Sequence, residues 1–274
     1  MMLPTRSPFR RLARGLAPLS LLLLASCAGE REEIPYIERP VEHIYTEAAN
    51  AMDRENYQRA ALLFEEVERQ HPYSQWAVRA QLMSAYANYQ SLKYDDAINT
   101  LDRFIALHPG NRNVAYAYYL KGLCYYEQIA DVRRDQSMTE LSLTALGEVV
   151  RRFPASPYAR DAKLKIELAQ DHLAGKDMEV GRFYQRTGLH TAAIKRFRNV
   201  VDRYQTTSHV PEALHRLTES YLALGITDEA KATAAVLGHN YPGSDWYQDT
   251  YALMTGGQQS SQPGFFRRTF GSIF

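Results

Sequence analysis

The chain has 274 residues, 45% of them hydrophobic, with 32 basic and 31 acidic side chains and a net charge of +1. A chain of this length can bury a large core. Its near-balanced charge supplies no broad basic surface, so nucleic acid is not an expected partner.

The first 26 residues carry Arg6, Arg10, Arg11 and Arg14 and no acidic residue, and end in the apolar stretch Leu16 to Ser26 (LAPLSLLLLAS). A spanning helix needs about 20 apolar residues, so a basic segment with so short an apolar run reads as an export signal over residues 1–26. Leu24-Ala25-Ser26-Cys27 follows and resembles the bacterial lipobox, in which the cysteine is acylated and becomes the first mature residue. Cys27 is the expected lipid attachment site, and the covalent lipid is the only added group expected. Each buried CH₂ contributes roughly 0.8 kcal/mol to such an anchor. An aspartate after the cysteine favours inner-membrane retention in this class; Ala28 stands there, which implies the outer membrane. Loss of the four signal arginines leaves 28 basic against 31 acidic side chains, a mature charge near −3.

Residues 27–42 read as a lipid-proximal tether, because Ala28 to Pro40 (AGEREEIPYIERP) holds four glutamates, two prolines and little apolar content. A repeat follows. Five segments starting at Tyr57, Tyr94, Thr139, His190 and Thr227 superpose without internal gaps. Three places after each start sits a small residue: Ala60, Ala97, Ser142, Ala193 or Ala230. Seven after it comes Phe64, Leu101, Leu146, Phe197 or Ala234, and ten after it Val67, Phe104, Val149, Val200 or Leu237. Offsets of three, seven and ten lie on one helical face. Four of the helices close at an X-Pro step (Pro72, Pro109, Pro154, Pro242), where proline disfavours helix in the residue before it. Gln205 replaces proline in the fourth, which predicts a weaker stop.

A second helical pattern precedes each of these helices. The fifth unit, with Leu214, Leu217, Thr218, Tyr221, Ala230 and Pro242, matches the tetratricopeptide pattern, and Gly188 in the fourth permits a tight interhelical turn. Two insertions stand out: Ile129 to Thr139 (IADVRRDQSMT), and Ala162 to Glu179, which reads as an added long helix. The expected fold is all-α, a right-handed superhelix of about five tetratricopeptide-like hairpins forming an α-solenoid. Its N-terminal half is placed at 43–160 and its C-terminal half at 161–255. Residues 256–274 form a basic-aromatic tail with Phe265, Phe266, Arg267, Arg268, Phe270 and Phe274. That tail reads either as a disordered end or as a short element docking on a partner or on anionic lipid.

No catalytic constellation is present. His71 and His108 share the position before proline that Phe153, Tyr204 and Tyr241 hold in the other repeats, which points to structure. His209 and His215, six apart, are poorly spaced for a metal. No HExxH, P-loop or GxSxG motif occurs. Glu65-Glu66 reads as solvated helix surface, and Cys124 as a buried apolar thiol. Most of the nineteen tyrosines are expected in the core, the rest on a concave peptide-binding surface. The chain is not expected to be an enzyme.

Three stretches are more specific than a repeat consensus: AINTLDRFIALHPGNRNVAYAYYLKGL (97–123), FPASPYARDAKLKIELAQDHLAGKDMEVGRFYQRTGLHTAAIKRFRNVVDRY (153–204), and the lipobox followed by its acidic tether. Over essentially the whole mature chain the sequence resembles the BamD outer-membrane assembly factor family, also called competence lipoproteins. The resemblance implies an essential lipoprotein, held at the outer membrane and facing the periplasm, in the machine that inserts β-barrels. It implies that the N-terminal half recognises the C-terminal strand of unfolded outer-membrane proteins. Tyr73 and Ser74, in the turn after His71-Pro72, and Tyr57, Gln58 and Arg59 are the matching residues. An ordinary interrepeat turn accounts for Tyr73 and Ser74 equally well. Gln58 stands where a basic residue can occur in the family. The C-terminal repeats are implied to contact the core β-barrel subunit, BamA, alongside other assembly lipoproteins, and Arg186, Lys195, Arg196, Arg198 and Arg203 give that region local positive charge. A lipoprotein scaffold for peptidoglycan or cell-division proteins is the alternative, and a cell-wall enzyme the third reading.

Overall fold

The computed structural model describes residues 37–256. Cys27, the export signal, most of the tether and residues 257–274 of the tail lie outside the described residues. Within them the chain forms eleven α-helices and no strand. These are α1 (Val41–Asp53), α2 (Tyr57–Gln70), α3 (Gln75–Gln90), α4 (Tyr94–Leu107), α5 (Val114–Tyr126) and α6 (Ser137–Arg152). They continue as α7 (Pro157–Arg186), α8 (His190–Arg203), α9 (Val210–Ala223), α10 (Thr227–Asn240) and α11 (Asp245–Thr255). Consecutive helices pack as five hairpins, α1/α2 to α9/α10, with α11 as an unpaired last helix. The first helices of neighbouring hairpins touch one another, whereas the second helices do not. First helices therefore crowd an inner wall while second helices splay on the outside, which curves the stack into a solenoid.

The repeat register is visible in the burial. Ala60, Ala97, Ser142, Ala193 and Ala230 are all 0% exposed. So are Phe64, Leu101, Leu146 and Phe197 at offset seven, and Val67, Val149, Val200 and Leu237 at offset ten. Small residues bring paired helices close enough for these larger side chains to interlock. Glycine extends the same device to the first helices. A Cβ on Gly122 in α5 would lie 2.5 Å from Leu146, and one on Gly181 in α7 would lie 2.5 Å from the Phe197 ring.

Each second helix stops in the same way. His71, His108, Phe153, Tyr204 and Tyr241 take φ between −124° and −134° and donate their N–H to the carbonyl of the offset-ten residue. Tyr204 does this without a following proline, so the weaker stop expected there is absent. Its ring is buried, and its carbonyl accepts both the Thr207 N–H at 3.1 Å and the Thr207 hydroxyl at 2.8 Å. The buried aromatic and this threonine hold the turn. In the tight turns between paired helices one residue lies in the left-handed region: Gly188 (φ 78°) and Gly225 (φ 73°), but also Glu55 (φ 59°) and Leu92 (φ 61°).

The segment 162–179 is not a separate added helix. It lies inside α7, one unbroken 30-residue helix about 45 Å long. The division placed between residues 160 and 161 falls within this helix, which joins the two halves. The inserted loop before α6 lies against it: His172 Nε2 donates to the Ala130 carbonyl at 2.7 Å and Lys176 Nζ to the Arg134 carbonyl at 3.2 Å. Farther along, Arg182 grips Glu212 of α9 through two hydrogen bonds of 2.8 and 2.6 Å. Arg216 bonds to Glu212 at 3.4 Å and Glu219 at 3.0 Å. Burial opposes ionisation of Glu212, but its bonds to Arg182 and Arg216 outweigh that and hold the carboxyl below its ordinary value of 4.5. Burial is likewise outweighed at Glu219 by His215 and Arg216.

Glu66 and most of the tyrosines sit otherwise than expected from their types. Glu66, expected on a solvated face, is 5% exposed; Arg69 binds it through bonds of 2.7 and 2.6 Å and Gln70 also donates to it, so its charge is compensated. Most tyrosines flank the cores rather than fill them, with Tyr86, Tyr89, Tyr116 and Tyr119 half-buried. Their hydroxyls need polar partners: Tyr119 donates to Asp161, and Tyr89 to Glu127 at 3.4 Å. Cys124 is buried as expected, and burial pushes its thiol up to about 12.

Replacing Ala193 with leucine overpacks the α7/α8 contact and lowers stability by about 1–3 kcal/mol, read by thermal circular dichroism. At the turns, Gly188→Ala costs about 1 kcal/mol because a Cβ there meets no neighbour and only the backbone is strained, whereas Leu92→Gly leaves stability unchanged or raised. The acid side has a defined sign. Glu212 and Glu219 bind protons less readily folded than unfolded, so their contribution is complete above the ordinary carboxylate value and lost as pH falls below about 4.5. Urea midpoints measured from pH 6 to pH 3 decline, and Glu212→Gln makes that decline shallower.

Candidate protein-binding surfaces

The N-terminal residues of interest lie at both ends of α2. Tyr57, half-buried, opens the helix, and Gln58 beside it is exposed. Asn56 caps the helix by accepting the Arg59 N–H at 3.3 Å. The Arg59 side chain binds Glu47 of α1 at 2.9 Å, and Arg39 binds the same carboxylate at 2.7 Å. Burial opposes its ionisation, but the two guanidinium groups prevail and keep Glu47 below its usual range. The last four residues before α1 are docked: Gln70 donates to the Ile37 carbonyl at 2.8 Å and His71 Nε2 to the Arg39 carbonyl at 2.7 Å. At the other end of α2, Tyr73 is fully exposed and Ser74 caps α3 by accepting the Ala77 N–H at 3.0 Å. The fourteen residues of α2, from Tyr57 to Gln70, cover about 20 Å between its two ends. The two groups do not converge on one pocket. Ser74 has a structural role as a cap, while Tyr73 offers an aromatic ring with no burial at all.

The C-terminal cations are partly gathered. Lys195 and Arg198 line a groove of about 570 Å³ along α8 with Thr191, Ile194 and Asp202. Arg203 lines a second groove between α6, α7 and α8, and the two share Asp177, Arg196 and Asn199 as a wall. Arg186 is exposed at the far end of α7 and lines neither groove. Arg196 is not a free surface charge. It pairs at 3.0 Å with Asp177, which is 6% exposed and also accepts a hydrogen bond from Asn199. Three further cations join the face: Arg133, Arg134 and Lys176. Sequence reading treated the first two as part of an insertion; the Arg133-Arg134 doublet was the available signal, and the loop's attachment to α7 brings it beside α8.

Among the described residues no group of three or more His, Cys, Asp and Glu side chains is arranged to hold a metal ion. His215 bonds Thr250 at 2.7 Å, and His209 lies 3.6 Å from Asp171, so the two rings serve different contacts. Among the described residues no helix is long and apolar enough to cross a membrane.

The family model described as outer membrane lipoprotein, YfiO, matches residues 37–237. The outer membrane protein assembly factor BamD of Caulobacter vibrioides is 52% identical over 233 residues, covering 84% of this chain and 76% of that protein. The BamD of Rickettsia prowazekii is 45% identical, over 85% of this chain and 92% of its own length. A Neisseria meningitidis BamD is 36% identical, over 74% and 80%. The family match runs from before α1 into α10 and includes the long α7 and the α8 helix from which Lys195 and Arg198 project. The chain belongs to the BamD family of outer-membrane assembly lipoproteins.

Proposed function

We propose that this protein is a non-catalytic subunit of the outer-membrane β-barrel assembly machinery, anchored by lipid on Cys27 and facing the periplasm. The N-terminal half binds unfolded barrel proteins, and the basic face of α7 and α8 binds the core barrel subunit and so promotes insertion. The observation that carries the second contact is the pair of grooves sharing Asp177–Arg196, where Lys195, Arg198, Arg203, Arg133 and Arg134 outnumber the acidic side chains. Helix α8 and the loop held against α7 place these cations on one face, which favours electrostatic steering and register.

For the first contact, an extended strand advances about 3.3 Å per residue, so roughly six residues span the distance from Tyr57 to Tyr73. The separation along α2 therefore suits a strand laid lengthwise better than a side chain entering a pocket. Tyr73 supplies rigid amphipathic area at one end, and Gln58 supplies an amide donor and acceptor at the other.

Charge reversal separates binding from folding. Lys195→Glu with Arg198→Glu should lower recovery of the core barrel subunit several-fold when the anchored protein is purified in mild detergent, with the melting temperature unchanged. Undiminished recovery would remove the α8 face from the interface. Arg196→Glu is a poorer probe, because it also strands the buried Asp177 and destabilises the α7/α8 pair.

A further inference from the structure

The stack ends asymmetrically. Every other first helix is followed by a second helix, but α11 has none among the described residues. The consequence appears in α10. Its offset-seven residue Ala234 is only partly buried, whereas Phe64, Leu101, Leu146 and Phe197 are 0% exposed. Between α10 and α11 an apolar cleft of about 350 Å³ opens, lined by Ala234, Ala235, Gly238, Tyr247, Tyr251 and Met254. Tyr251 on α11 is 60% exposed and Val236 on α10 is 44% exposed. Solenoid ends generally need a cap with a polar outer side.

The chain beyond Gly256 has the composition of such a cap. Phe266, Phe270, Ile273 and Phe274 stand at offsets zero, four, seven and eight, which is one face of a helix, and Arg267 and Arg268 fall off that face. Residues 257–264 (GQQSSQPG) link it to α11 and reach at most about 28 Å when extended. The eleven residues of α11 cover about 17 Å. The linker is long enough to bring the phenylalanines back along α11 to the cleft, and Gly256, with φ 70°, ends α11 in the left-handed conformation that turns the chain away from the helix axis.

We propose that residues 265–274 dock in the α10/α11 cleft of the same molecule, supplying the second-helix surface that α11 lacks and leaving Arg267 and Arg268 toward solvent. A tethered segment faces its site at an effective concentration near the millimolar range, so even modest intrinsic affinity keeps it seated. This docking stands independently of the assembly partner proposed above.

Hydrogen exchange on the full mature chain in detergent tests it. In the unmodified protein the amides of α10 and α11 should exchange roughly tenfold more slowly than in Phe266→Ala/Phe270→Ala, with α1–α6 unchanged. The Arg267→Ala/Arg268→Ala variant should behave like the unmodified protein. Equal exchange in the phenylalanine variant would overturn the proposal. So would protection that grows with protein concentration, which assigns the tail to a second copy. Protection that appears only with vesicles containing anionic lipid would overturn it in favour of a membrane contact.

Discussion

Close approach of paired helices is the constraint on which this structure rests. At Ala60, Ala97, Ser142, Ala193 and Ala230 no side chain larger than a hydroxymethyl group is present, and all five are completely buried. Gly122 and Gly181 continue the constraint on the opposing helices, where the space of the missing Cβ is filled by Leu146 and Phe197. With the backbones this close, Phe64, Leu101, Leu146 and Phe197 fill the interface in the first four hairpins and Leu237 in the fifth. The next hairpin stacks on the result. Because first helices touch across hairpins and second helices do not, the same packing rule that holds each pair also sets the curvature.

Most of this was legible in the sequence because the rule recurs. The small-large-apolar offsets, the aromatic or histidine at the helix stop, and the glycine at position 188 each mark a local packing or backbone requirement, although Glu55 and Leu92 meet the same left-handed turn without glycine. What escaped is non-local. Tyr204 stops its helix without a following proline because Thr207 and a buried ring do the work. Glu66 looks like surface by type, yet Arg69 and Gln70 let it enter the core. The length of α7 was misread as an added helix because its inner part departs from the repeat pattern. The two halves anticipated from sequence are thus joined by a continuous helical rod.

The candidate binding surfaces were legible in type and less so in place. Cations of α8 were recognisable from the sequence, but only the structure shows that Arg196 is committed to Asp177 while Lys195 and Arg198 remain exposed. Arg133 and Arg134 join them through a loop attached to α7 by His172 and Lys176. At the other end, Tyr57 and Tyr73 lie within one repeat of the sequence, yet a helix axis holds them about 20 Å apart. A solenoid can present such separated surfaces without either disturbing the other, because each hairpin contacts only its neighbours. Membership of the BamD family gives those surfaces a context in outer-membrane assembly.

On the proposed reading one helical stack carries two distinct polypeptide-binding faces. Site-specific photocrosslinking in living cells measures it most directly, with the photoreactive residue placed at Tyr73 in one strain and Arg198 in another. The account predicts that position 73 captures newly exported barrel chains and position 198 captures the folded core barrel subunit. Capture of the same protein at both positions, or of cell-wall enzymes at either, would contradict it.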